Sequence, residues 1–171
     1  MDIRRPLGYA ENARLLLRET LAAHPETLDR PWETTAAYHT VGHLVAHLVG
    51  AERRWTLGRL YAEPPPPRYE DHSAKTLDGL FSDWDAIRRR TLDFAAQAET
   101  TALARVIETD LPQWGASVTL TAEDVLLHIC NHQTWHIGQI SSAWQRMGID
   151  PPNFDFVFLM PAPAEGQERA H

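Results

Sequence analysis

The stretch 124–148, DVLLHICNHQTWHIGQISSAWQRMG, constrains this chain most, because it sets His128, His132 and His136 four residues apart in one long helical pattern. A helix turns about 100° per residue, so residues four apart stand nearly above one another. With Val125 at 0°, Ile129 falls at about 40°, His132 at about −20°, His136 at about 20° and Ile140 at about 60°. His132 and His136 therefore occupy the middle of the apolar stripe, and His128 lies toward its flank at about −60°. Two imidazoles facing a core need partners, because an unpaired buried polar group is costly. A shared metal ion is one solution, and hydrogen bonding within a core is the other.

Spacing alone does not decide between them. Nine histidines among 171 residues give about 0.4 HxxxH pairs by chance. The chain has four such pairs: His39 with His43, His43 with His47, His128 with His132, and His132 with His136.

A chain of this length is expected to form one domain, residues 1–161, with 162–171 as a disordered tail. The net charge of −7 argues against a general nucleic-acid binder, which needs a basic face. The run 88–90, three arginines, reads as a solvated helix face. No apolar run approaches the ~20 residues of a membrane span, and the N-terminus has no signal-peptide core. The single cysteine, Cys130, excludes an intramolecular disulfide and fits a reducing cytoplasm. It lies about 160° from His128 and His132, so it reads as a packed residue and not as a co-ligand.

Helical periodicity predicts helices over 6–23, 35–61 and 73–100, then 121–148. On the second, Leu44, Val45, Leu48, Glu52 and Trp55 fall within about 60° of Val41. His47 lies on the border of this stripe, whereas His39 and His43 point further round, toward solvent. Glu52 inside the stripe reads first as the ion-pair partner of an arginine; orienting a ligand histidine and accepting a proton are the other options. The run 63–68, EPPPPR, stops the second helix and makes a stiff connector. Leu77, Leu80, Phe81, Trp84, Ile87, Thr91, Leu92 and Ala95 form the buried face of the third helix, capped by Thr76 or Ser73. RVIETD and SVTL, at 105–110 and 117–120 with LPQWG between them, read as a short hairpin or extended loop. Thr121 and Asp124 form a capping box, and Gly148 ends the last helix. NFDFVFLMP is apolar enough to dock on the body or on a second subunit.

Four long amphipathic helices predict an all-α, four-helix bundle, whose interior commonly houses metal sites. Residues four apart rise about 6 Å, so His132 and His136 can share an ion, while His128 and His136, about 12 Å apart, cannot join them in a set of three. A third ligand must come from another helix, and His47 is the natural donor. Three imidazoles leave an open coordination position, which is the catalytic type of site. A zinc-protease HExxH is excluded by Gln133 after His132, and the Glu-x-x-His pairs of di-iron bundles are missing.

These residues also carry a family resemblance. LLHICNHQTWHIGQI resembles the closing-helix signature of the DinB/YfiT-like metalloenzyme family, and LVAHLVGAERRW resembles that family's second-helix ligand motif. YAENARLLL is similar to its first helix, and MGIDPPNFDF to its exit segment. The resemblance implies a four-helix bundle, often a homodimer, with a divalent ion (zinc, nickel or iron) held by His47, His132 and His136. Its relatives include thiol-dependent transferases and isomerases, and others suspected of hydrolysis, so it implies a metal-dependent enzyme on a small-molecule substrate, with a low-molecular-weight thiol as a cosubstrate option. Glu52 and His128 are the candidates for moving protons. Ile137 stands where members often carry arginine. The alternative is a non-catalytic, stress-associated binding protein of the damage-inducible type, in which the ion only staples the bundle.

Overall fold

The computed structural model describes residues 2–33, 38–64, 67–70, 76–111 and 115–160. It is mostly helical. The long helices are α1 (Arg4–Ala23), α2 (Val41–Arg53), α3 (Leu77–Gln97) and α5 (Ala122–Arg146). Single turns form α4 (Thr100–Leu103) and α6 (Phe156–Leu159). Strands β1 (Val106–Leu111) and β2 (Ala116–Thr121) pair antiparallel, with Ile107 opposite Leu120 and Thr109 opposite Val118. The hairpin expected from the β-branched runs is thus present; part of its LPQWG turn lies outside the described residues.

α1 and α2 each pack against both α3 and α5. Among the described residues, two apolar clusters fill the interior. The larger contains Leu17, Leu21, Val41, Val45, Phe81, Trp84, Ile140 and Trp144, and the smaller contains Leu7, Ala10, Leu60, Ala95, Val125 and Leu126. Between them each long helix contributes polar side chains: Glu11 and Arg14 on α1, Glu52 on α2, Arg88 and Thr91 on α3, and His132, Gln133 and His136 on α5. The molecule therefore has a polar waist between two oily halves.

The ends of the helices follow local chemistry. Thr121 accepts from the Asp124 N–H at 3.1 Å and the Asp124 carboxylate accepts from the Thr121 N–H at 2.8 Å, completing the capping box. Gly148, at φ +81°, closes α5 in a Schellman turn, with Ile149 N–H donating to Trp144 O and Gly148 N–H to Gln145 O. Thr76 caps α3 through the Gly79 N–H; Ser73, the other candidate, lies outside the described residues.

Three expectations are corrected. The second helix starts at Val41 and not at 35, because Thr40 caps it from an extended conformation and pairs with Pro31 in an isolated bridge. It also rewinds into a π-helix over Arg54–Leu60, which periodicity cannot foresee. The third helix ends at Gln97, where Ala98 turns to ψ 120°. The arginine run is not a solvated face as a whole. Arg88 is 1% exposed and takes the inward position expected for Ile87, because its guanidinium meets Glu52 at 2.9 Å and bonds Gln133.

The exit segment docks on α1. Tyr9 donates to Phe154 O at 2.9 Å and Asn12 to Leu159 O at 2.7 Å. Val157 and Phe158 stay open, 76% and 69% exposed. Residues 161–171, which include the expected tail, are outside the described part, as are 65–66 of the proline connector.

Candidate metal centre

Three imidazoles meet at the edge of the polar waist. His47 comes from α2, and His132 and His136 come from successive turns of α5. The His132 Nε2 lies 3.2 Å from the Nε2 of His47 and 3.2 Å from that of His136. Tetrahedral zinc with bonds of 2.0–2.1 Å holds its nitrogens about 3.4 Å apart, so the spacing suits one shared ion. Among the described residues these three form the group of His, Cys, Asp or Glu side chains able to share a cation. His136 is buried, and His47 and His132 are half-buried.

The electrostatics favour neutral donors. Burial pushes the His132 pKa down to about 3, helped by the neighbouring His136 and His47. Burial also lowers His136, against the opposing hydrogen bond it donates to Gln139, and lowers His128. At neutral pH all three of these rings are therefore uncharged, which is the form that ligates metal.

The remaining candidates are placed as follows. His39 and His43 are exposed, as the helical angles suggested. His128 is half-buried, its ring tilted against Trp55 at 4.5 Å and His132 at 5.6 Å, ring centre to ring centre. Glu52 is 4% exposed and both of its oxygens are engaged. Trp84 Nε1 donates to Oε2 at 2.7 Å, Arg88 meets the same oxygen at 2.9 Å, and Thr91 donates to Oε1 at 2.8 Å. It is the arginine's ion-pair partner. Cys130 is buried, and burial pushes its thiol up to about 12, so it is no thiolate near neutrality. Ile137 is 2% exposed within the larger apolar cluster.

Helical periodicity missed four residues that surround the imidazoles. Glu70 lies 2.9 Å from His47 Nδ1, and Tyr38 Oη lies 2.7 Å from the same nitrogen. Arg54 forks onto both Glu70 oxygens at 3.1 Å. Gln139 Oε1 sits 2.7 Å from His136 Nδ1. Only Gln139 carried a usable signal, its three-residue spacing from His136 on one helix face. Burial raises the Glu70 carboxyl, but bonds from His47 and Arg54 outweigh it and bring the pKa down to about 2. Tyr38 is raised by burial and then by the Glu70 charge.

No helix among the described residues is long and apolar enough to cross a membrane. No curated protein matches the chain. The DinB family model matches residues 7–169, nearly the whole sequence. With that span matched, and with the three histidines of its two His motifs gathered at one point, the chain belongs to the DinB family.

Proposed function

We propose that this protein is a four-helix-bundle metalloprotein that holds one divalent ion through the Nε2 atoms of His47, His132 and His136 and acts as a metal-dependent enzyme on a small molecule. The observation that carries this reading is the convergence of three imidazole nitrogens, with His132 Nε2 3.2 Å from those of His47 and His136. Three protein ligands characterise catalytic sites, whereas structural zinc sites close with four. A bound ion supplies Lewis acidity, enough to make water or a thiol nucleophilic near neutral pH.

Two reaction types fit, hydrolysis and thiol-dependent transfer or isomerisation. In the second the thiol must be a cosubstrate, because the chain's own Cys130 is buried and protonated. His128 is the better of the two proton-moving candidates. Its ring adjoins His132 and burial keeps it neutral, while both oxygens of Glu52 are committed to Trp84, Arg88 and Thr91. We read residues 1–161 as one domain. The exposed Phe156, Val157 and Phe158 suit contact with a second copy.

Elemental analysis of purified protein, followed by assay of the loaded protein with low-molecular-weight thiols and electrophiles, tests the reading. We expect one ion per chain and turnover that His132→Ala abolishes. An ion without turnover favours the non-catalytic alternative. Turnover that survives His132→Ala refutes the assigned site.

A further inference from the structure

We propose that Glu70, held by Arg54, is a positioning residue that fixes His47 as the Nδ1–H tautomer and so aims a bare Nε2 lone pair at the centre of the three histidines. The metal consequence rests on the function proposed above; the tautomer claim does not.

A neutral imidazole carries one N–H, and the partner of one nitrogen decides the state of the other. Two oxygens compete at His47 Nδ1. The hydroxyl of Tyr38 can give or receive, but the carboxylate of Glu70 can only receive. A lone pair on Nδ1 would face the Glu70 carboxylate at 2.9 Å, which is repulsive. Glu70 therefore requires the proton on Nδ1, and Tyr38 Oη becomes a second acceptor of it. The same logic holds at His136, where the amide oxygen of Gln139 faces Nδ1 at 2.7 Å. The Nε2 atoms of His47 and His136 are then both bare. Each lies 3.2 Å from His132 Nε2, which has at most one proton to give. At least one of these close contacts is therefore lone pair against lone pair, an arrangement that a cation relieves.

The surroundings of Glu70 are built to hold it there. Its side chain is 8% exposed, and Arg54 binds both oxygens. The preceding Tyr69 is buried and donates to Asp83 at 2.7 Å, tying the segment to α3. Gly50 leaves the space: a Cβ there would lie 2.9 Å from Glu70 Oε2 and 3.0 Å from both Glu70 Cδ and Tyr69 Cβ. α2 thus offers a gap in its side-chain surface, one turn from His47, into which the carboxylate fits. Carboxylate partners behind ligand histidines are worth about 10–100-fold in metal affinity.

The test uses long-range proton–nitrogen NMR correlations on the metal-free, isotopically labelled protein, with zinc affinity by chelator competition as a second readout. We expect His47 as the Nδ1–H tautomer in the wild type. In Glu70→Ala we expect appreciable Nε2–H at His47, with zinc binding weakened about 10–100-fold. Glu70→Gln, whose amide oxygen still accepts, should keep most of the Nδ1–H form and bind zinc more tightly than Glu70→Ala. Gly50→Ala, which displaces the carboxylate without removing it, should resemble Glu70→Ala. A folded Glu70→Ala that keeps His47 fully Nδ1–H overturns the proposal. A wild type with the expected tautomer that binds no zinc sinks the metal reading and leaves the role of Glu70 standing.

Discussion

Replacing Glu52 by glutamine strips the counter-charge from a guanidinium buried at the waist of the molecule. Arg88 is 1% exposed and Glu52 4%, so water cannot take over. Removing one partner of a buried ion pair costs about 3–5 kcal/mol. Two features place this case at the lower end. Glu11 lies 3.7 Å from Arg88 Nε and keeps part of the compensation. Glutamine also retains an oxygen able to accept from either Trp84 Nε1 or Thr91 Oγ1, though not both. We therefore expect a loss of about 3 kcal/mol in urea unfolding, with an unchanged denaturant slope. That leaves a folded protein, since whole domains carry about 5–15 kcal/mol. Arg88→Met should cost a comparable amount, because it strands the Glu52 carboxylate. The double variant should cost less than the two single losses together, by about 2 kcal/mol, because neither charge is then left alone. Zinc affinity should not change in Glu52→Gln. A loss below about 1 kcal/mol, or strict additivity in the cycle, would refute the ion-pair account. Weakened zinc binding at unchanged stability would instead move Glu52 into the metal site.

Acid should destabilise the metal-free protein. His132 has its folded pKa depressed to about 3, and His136 and His128 shift in the same direction. The unfolded chain thus binds more protons below its own histidine pKa near 6.5. Stability should fall from there toward pH 3 by up to about 1.4 kcal/mol per pH unit from His132, with His136 and His128 adding to the fall just below pH 6.5, and Glu70 should add a loss between 4.5 and about 2. Denaturation at stepped pH checks this, and a flat profile from pH 6.5 to 4 contradicts it. Thr121→Ala removes the oxygen that caps α5 and should cost about 1 kcal/mol in the same assay. Gly148→Ala forces a side chain into φ +81° and should cost about 1 kcal/mol as well. Zinc at about 100 times its Kd should stabilise the protein by about 2.7 kcal/mol, and the shift in melting should vanish in His136→Ala.

Much of this architecture was legible because a helix fixes angle once its span is known. The inward aim of His132 and His136, the border position of His47, the outward aim of His39 and His43 and the inward Glu52 all follow from 100° steps. Capping by Thr121 and Asp124 follows from side-chain chemistry, and the hairpin from β-branched runs. Charge alone assigns Arg88 to solvent, because nothing on its own helix shows a partner. Its partners Glu52 and Gln133 lie 36 and 45 residues away on other helices, and a periodicity argument treats each helix alone. The π-helical rewind of Arg54–Leu60 was hidden for a related reason, since its side chains are placed by neighbours: Trp55 by His128 and Thr56 by Thr91.

The imidazole centre divides along the same line. Its inner atoms sit on two rods of regular geometry, so sequence spacing reaches them. Its outer partners at His47, Tyr38 and Glu70, lie on segments flanking α2, where no period relates a residue to its neighbours. Yet the outer partners decide whether the inner nitrogens offer lone pairs or protons, and with that whether three close histidines make a cation site or a hydrogen-bonded core. Spacing could bring the rings together in argument but could not choose between those outcomes. The choice rests on two acceptors, a carboxylate in a connecting segment and an amide three residues along α5, that claim the far sides of two rings. A related chain that kept all three histidines and lost both acceptors should therefore keep the fold and bind the ion weakly.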